Sequence, residues 1–153
     1  MHATHESTHP GDKVERTSST GPNSDTVTHG IRVQAAAQFI PDRSEPDEMW
    51  FYAYRVRIIN EGDERAKLLS RHWVVLDANN QRREVDGEGV VGRQPDLGPG
   101  EMFEYTSGCP LNTAWGTMEG CYTFLRPDGS TFEAEIGRFF LVPSVDNAAA
   151  LGG

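Results

Sequence analysis

The fold of this chain is decided by one stretch, Trp50-Phe51-Tyr52-Ala53-Tyr54-Arg55-Val56-Arg57-Ile58. Every second side chain in it is large and apolar, and Arg55 and Arg57 occupy two of the positions in between. Because successive side chains of a β-strand point to opposite faces, this period of two predicts a half-buried strand. An amphipathic helix would repeat its apolar residues every three to four positions instead.

The same alternation recurs on both sides of this stretch. Further strands are predicted at Ile31–Phe39, Leu69–Val75, Phe103–Tyr105, Met118–Phe124 and Thr131–Ile136. Turn-forming residues lie between them, at Asp77-Ala78-Asn79-Asn80, Gly98-Pro99-Gly100 and Pro127-Asp128-Gly129. No amphipathic helical period occurs between residues 27 and 143. The pattern predicts an all-β domain, an antiparallel sandwich of immunoglobulin or fibronectin type III character with about seven strands.

The two ends of the chain carry little that could be buried. Residues 1–25 are rich in Ser, Thr, His, Gly and charge, which predicts a disordered N-terminal tail. Residues 144–153 predict a frayed C-terminal tail, so the domain is predicted at residues 26–143. A flexible tail holds His2, His5 and His9 in no fixed geometry, so we predict no metal site there.

Charge and composition narrow the class of protein. The formal net charge is −9, and an acidic surface repels phosphate backbones, so nucleic acid is not expected as a main partner. Apolar runs such as Trp73-Val74-Val75-Leu76 are too short to insert into a bilayer. With no apolar leader at the N-terminus and only Cys109 and Cys121, we predict a cytoplasmic protein with two reduced thiols.

A glycine motif runs from Gly87 to Gly92 and spells GxGxxG. In dinucleotide-binding folds this motif opens a helix whose N-terminus binds a pyrophosphate. Here it is followed by Arg93-Gln94-Pro95, which cannot begin a helix, so a loop between strands is predicted. Backbone N–H groups of such a loop could still form a small anion nest with Arg93 nearby.

A second candidate surrounds Trp73. By alternation Arg71 shares the face of Trp73, and His72 lies on the opposite face. His72 could serve as an acid or base, but no nucleophile or second base is tied to it by sequence, so we predict no catalytic residues. Carboxylates two apart, Asp86 with Glu88 and Glu133 with Glu135, could face a hard cation, yet Mg²⁺ rarely uses an all-protein cage. No metal and no cofactor are therefore predicted.

Several segments together resemble the ApaG family, also called CorD. The most specific block runs from Leu69 to Pro95 and contains Leu69-Ser70-Arg71-His72-Trp73 and Val85-Asp86-Gly87-Glu88-Gly89-Val90-Val91-Gly92. The resemblance continues through Leu97-Gly98-Pro99-Gly100-Glu101, Phe103-Glu104-Tyr105-Thr106-Ser107-Gly108 and Gly116-Thr117-Met118-Glu119-Gly120, and covers residues 27 to 143.

The resemblance implies a fibronectin type III-like sandwich and an association with cobalt tolerance and magnesium efflux in bacteria. It also implies a protein-interaction module, because the same domain occurs in eukaryotic F-box and polymerase-associated proteins. The family's glycine motif has prompted the idea of nucleotide or pyrophosphate binding, which would fall on Gly87, Gly89 and Gly92. It carries over no catalytic residue.

Two functions follow as hypotheses. The first is a non-enzymatic binding or regulatory module whose partner is a protein and whose link to ion efflux is indirect. The second is a phosphate or nucleotide site at the glycine loop, with His72 as a base if it is hydrolytic. Both use the same candidate site residues, which are Arg71, His72, Gly87, Glu88, Gly89, Gly92 and Arg93. Pairing of edge strands could also join two copies as a homodimer.

Overall fold

The computed structural model describes residues 14–18, 22–45 and 47–143. Within them the chain forms ten strands and one short 3-10 turn at Pro41–Arg43. The strands are β1 Val14–Ser18, β2 Asn23–Thr28, β3 Ile31–Phe39, β4 Trp50–Asn60, β5 Ala66–Asp77, β6 Arg82–Glu88, β7 Asp96–Leu97, β8 Met102–Leu111, β9 Gly116–Leu125 and β10 Thr131–Leu141. No helix in the described residues is long and apolar enough to cross a membrane.

The strands form two antiparallel sheets. The first has the order β1-β2-β3-β4-β8, and the second has the order β10-β9-β5-β6, with β7 paired to β5. Both sheets turn their alternating apolar side chains to a common interior. The predicted all-β sandwich is confirmed.

The core follows from the period of two. On β4, Tyr52, Tyr54, Val56 and Ile58 are buried, while Arg57 between them is exposed. The ring of Tyr54 meets that of Trp73 from the second sheet edge to face, with centroids 5.2 Å apart. Burying a large apolar side chain contributes about 1.5–3 kcal/mol, so this interior accounts for most of the favourable free energy of folding.

One side of the sandwich is closed by hydrogen bonds between the sheets. The buried Thr26 hydroxyl on β2 donates to the carbonyl oxygen of Glu135 on β10 at 2.7 Å. The N–H of Glu135 in turn donates to the hydroxyl of Thr28 at 3.1 Å. On the opposite side, Arg83 of β6 reaches β8 and donates to the carbonyl oxygen of Pro110 at 3.2 Å.

The strands extend further along the chain than the predicted boundaries. β1 and the start of β2 lie within residues 1–25, which were predicted as a tail, so the sandwich begins before residue 26. Residues 1–13 and 144–153 of the predicted tails lie outside the described residues. The number of strands exceeds seven because β1, β2, β6 and β7 carry little apolar alternation for sequence analysis to detect.

Candidate functional site

The glycine motif forms a tight turn at the end of β6. Val90 and Arg93 pair with each other: the N–H of Val90 donates to the carbonyl oxygen of Arg93 at 2.8 Å, and the reverse bond measures 2.9 Å. Between them, Val91 and Gly92 have φ of 42° and 79°. Two successive left-handed residues are the mark of a type I′ hairpin turn. The loop predicted in place of a helix is therefore present.

Gly89 is required by this turn. Its φ is 64°, and a Cβ placed there would lie 2.2 Å from the carbonyl oxygen of Arg93. Gly92 is left-handed as well, but a Cβ on it would meet open space. The spacing of Gly89 and Gly92 is thus explained by backbone geometry alone.

The N–H groups of the loop are largely occupied by the protein itself. Besides the Val90–Arg93 pair, the N–H of Gly89 donates to the carbonyl oxygen of Leu69 on β5 at 2.8 Å. An anion nest needs successive N–H groups that converge on a ligand. The bonded N–H groups of Gly89, Val90 and Arg93 are not available for that role.

Arg71 braces the same loop from β5. Its Nη1 donates to the carbonyl oxygens of Glu88 and Gly89, at 3.0 Å and 2.9 Å. Its guanidinium lies against the backbone of Gly87, since a Cβ there would be 2.5 Å from Cζ. Gly87 therefore makes room for Arg71, and the guanidinium is held by carbonyl oxygens.

His72 lies on the other face of β5, as the alternation predicted. Its Nδ1 is 2.5 Å from Asp86 Oδ1, and its Nε2 is 3.6 Å from Glu84 Oε1. Both ring nitrogens therefore face carboxylates of the neighbouring strand β6. Asp86 therefore fixes the orientation of the ring, whereas the distance from Nε2 to Glu84 is too long for a hydrogen bond.

Strand pairing in the second sheet places side chains of four strands next to one another, on a surface that sequence analysis did not identify. His72 pairs with Asp86 on β6 and with Cys121 on β9, and Cys121 pairs with Glu135 on β10. We call this outer surface the acidic face; its carboxylates are Glu84, Asp86, Glu88, Glu119, Glu133 and Glu135. The sequence shows the carboxylate pairs Asp86 with Glu88 on β6 and Glu133 with Glu135 on β10. It does not show that the two pairs share one face, because that depends on the strand order.

The acidic face holds a shallow, open depression of about 670 Å³. Its lining residues are Ser70, Arg71, His72, Asp86, Gly87, Glu88, Cys121, Thr123 and Glu133. The structure thus brings together four of the predicted site residues, Arg71, His72, Gly87 and Glu88. The other three, Gly89, Gly92 and Arg93, belong to the turn and are not among the lining residues.

Both cysteine thiols have a raised pKa. Both are free thiols, as predicted. Burial, reinforced by the negative charges of Glu133, Asp86 and Glu135, raises the pKa of the Cys121 thiol to about 11. Burial also raises the pKa of Cys109. In the described part of the chain, no group of three or more His, Cys, Asp or Glu side chains is placed to hold a metal ion.

Comparison with known proteins decides the family. The model of the ApaG domain matches residues 41–126, which include β4 to β9 and all the predicted site residues. The chain belongs to the ApaG family. It is 52% identical to Protein ApaG of Anaeromyxobacter dehalogenans strain 2CP-C over 119 residues, which are 78% of this chain and 94% of that protein.

Other ApaG relatives agree with this assignment. Protein ApaG of Methylobacterium sp. strain 4-46 is 52% identical over 120 residues, 77% of this chain and 92% of its own length. The crystal structure of the ApaA protein from Bordetella pertussis superposes with a TM-score of 0.73 at 44% identity, covering 75% of this chain and 94% of that one. The glycine turn and the β6 side of the acidic face thus lie within the part of the chain that the ApaG model matches.

Proposed function

We propose that this ApaG domain is a non-enzymatic binding module whose ligand is a protein, and that the acidic face is the contact surface. The observation that carries the proposal is the assembly of Asp86 and Glu88 of β6 with Glu133 of β10 around one open depression. A surface of this charge favours a basic partner by electrostatic complementarity.

The chemistry of the depression supports binding rather than catalysis. Small-molecule sites are concave and lined mainly by apolar side chains with a few convergent polar groups. This depression is open, and most of its lining residues carry polar or charged side chains. Its cysteine has a raised pKa, which disfavours a thiolate nucleophile and supports binding over covalent catalysis.

The connection with cobalt tolerance and magnesium efflux enters the proposal only through the partner. The family resemblance implies the connection, and a domain that binds a basic surface of another protein would exert such an effect indirectly. Capture from a cytoplasmic extract is the experiment that follows from this proposal.

The test compares two charge reversals of equal size. Glu88→Lys with Glu133→Lys changes exposed side chains of the acidic face, whereas Asp42→Lys with Asp63→Lys changes exposed side chains elsewhere. We expect the first double variant to lose at least tenfold in partner capture, which corresponds to about 1.4 kcal/mol, and the second to retain it. Equal capture by both variants would refute the acidic face as the contact surface.

Phosphate or nucleotide binding at the glycine loop is the alternative, and the geometry supports it less well. The N–H groups of Gly89, Val90 and Arg93 are bonded internally, and Arg71 is held by carbonyl oxygens. The carboxylates of Asp86, Glu88 and Glu133 would repel an anion at the depression. Calorimetric titration with pyrophosphate and ATP tests this alternative: saturable binding that is lost in Arg93→Ala would favour it over protein binding.

A further inference from the structure

Strand β6 lies at the edge of the second sheet. Within the residues that the structure describes, the strand order ends at β6, so no described strand pairs with its outer side. All its residues except Gly87, which is half-buried, are exposed. Its register with β5 runs without a bulge from Arg82 to Glu88, and it contains no proline. Of the devices that keep edge strands from pairing, β6 has no bulge and no proline, but it carries charged side chains, including the inward-facing Arg83, which select for a partner of complementary charge.

The hydrogen bonds at both ends of the β5–β6 ladder show which backbone groups point outwards. The N–H of Gly89 donates to the carbonyl oxygen of Leu69, and the N–H of Asp77 donates to that of Gln81. In an antiparallel ladder the bonded pairs recur at every second residue. The odd-numbered residues of β6 therefore bond to β5, and Glu84 and Asp86 direct their N–H and C=O groups to the free edge.

The side chains along this edge differ between its two faces. Glu84 and Asp86 lie on the acidic face, beside Val74 and His72 of β5. Val85 lies on the inner face next to Trp73, yet its side chain is 38% exposed. Arg82 also lies on the acidic face and donates to Glu84 at 2.7 Å, and Arg83 lies on the inner face with Val85. A second strand placed along β6 would thus meet mainly carboxylates on one face, and Val85 with Arg83 on the other.

We propose that β6 accepts an extended segment of a protein partner as an additional strand. The segment carries Lys or Arg at alternate positions, opposite the carboxylates, and apolar residues in between that cover Val85. This mode of binding, β-strand addition, draws its affinity from main-chain hydrogen bonds and its specificity from alternate side chains. The inference rests on the proposed function, because it names the chemistry of the partner at the same face.

Charge favours a basic segment over a second copy of this chain as the added strand. If two β6 strands paired antiparallel about Val85, Glu84 of one copy would lie opposite Asp86 of the other, and Arg82 would lie opposite Glu88, each twice over. Like charges directly opposite one another destabilise a strand pair and opposite charges stabilise it, so these contributions offset each other. A segment with Lys or Arg opposite Glu84, Asp86 and Glu88 makes only attractive pairs there, so the edge favours a basic segment.

Probe peptides test the main-chain part of this proposal. The reference probe is an end-capped octapeptide of alternating lysine and valine, and two further probes carry N-methyl groups on all lysines or on all valines. N-methylation removes the amide hydrogens from one edge of the peptide and leaves its charge unchanged. Binding is followed by amide NMR of the ¹⁵N-labelled full chain, with attention to Glu84 and Asp86.

The reference peptide is expected to bind and to slow hydrogen exchange at the amides of Glu84 and Asp86. One of the two methylated peptides should bind at least about tenfold more weakly, because its main-chain hydrogen bonds to β6 are lost. Loss of binding when the lysines are N-methylated indicates antiparallel addition, and loss of binding when the valines are N-methylated indicates parallel addition. Equal binding of all three probes, or no binding by any, overturns strand addition.

A matched pair of variants tests the protein side. Glu84→Pro removes an outward N–H without removing a bond to β5, and Glu84→Gln removes the same charge but keeps the N–H. Thermal unfolding serves to confirm that both variants are folded. We expect Glu84→Pro to weaken binding of the reference peptide at least fivefold more than Glu84→Gln does. Equal weakening would overturn strand addition. Partner capture that still depends on Glu88 and Glu133 would then leave the proposed function standing, so the two failures are distinguishable.

Discussion

At the scale of single residues, Gly89 and Gly92 have the same backbone conformation but different surroundings. Alanine at either position adopts an unfavourable left-handed φ, and at Gly89 its Cβ would also collide with the carbonyl oxygen of Arg93. We expect Gly92→Ala to lower the free energy of unfolding by about 1 kcal/mol and Gly89→Ala by at least twice that. Urea unfolding monitored by tryptophan fluorescence measures both, and equal losses would mean that the close approach at Gly89 is unimportant.

The destabilisation expected at Gly89 changes how the loop can be tested. A variant at Gly89 alters the fold and the loop together, so loss of binding in it would be uninformative. Arg93 is exposed and can be replaced without such an effect.

Cys121 offers a test of the electrostatics of the acidic face. A thiol reacts as its thiolate, and a pKa of about 11 leaves only about one molecule in a thousand ionised at pH 8. In a Cys109→Ser background, alkylation by iodoacetamide at pH 8 should be about a hundredfold slower than that of an unperturbed thiol and should accelerate up to pH 11. Asp86→Asn should speed it at pH 8, because a negative charge that opposes ionisation is removed. A rate that levels off near pH 8.5 would contradict the raised pKa.

At the scale of elements, the hydrogen bonds of two threonine hydroxyls join β2 to β10; we call this pair of bonds the joint. Thr26→Val keeps the shape of the side chain but leaves the carbonyl oxygen of Glu135 without this donor. We expect a loss of about 1–2 kcal/mol in the free energy of unfolding, measured by thermal denaturation. Thr106→Val, at an exposed position of β8, is the control and should change stability by less than about 0.5 kcal/mol. A loss at Thr26 no larger than at Thr106 would contradict a role for the joint.

The strands also show how far sequence reasoning reaches. β4 was predicted because its inner side chains are covered by the opposite sheet and are therefore apolar. β6 was missed because Arg83 and Val85 face inwards but stay exposed, so apolar side chains at these positions would gain little free energy from burial. Its strand conformation comes from the ladder with β5.

The same limit applies to the candidate site. Alternation along β5 was enough to predict that Arg71 and His72 point to opposite faces. The acidic face depends on the order β10-β9-β5-β6 and on its register, which places Glu133 beside Thr123 and Asp86 beside His72. Long-range register is not encoded in any one segment, so the face could not be predicted from local patterns.

At the scale of the whole molecule, the net charge of −9 attracts a basic partner at long range, before the two surfaces are in contact. Raising NaCl from 0.15 to 0.5 M shortens the range of these charges, so partner association should slow at least severalfold, as measured by surface plasmon resonance. The Glu88→Lys, Glu133→Lys variant should show a smaller salt dependence than the wild type. An association rate that does not change with salt would argue against charge as the source of recognition.

Hydrogen–deuterium exchange of the domain with and without its captured partner tests the central claim most directly. If the acidic face is the contact surface, the partner will slow exchange in β6 and leave β3, in the other sheet, unchanged. Protection confined to the first sheet, with β6 exchanging as in the free domain, would contradict that claim.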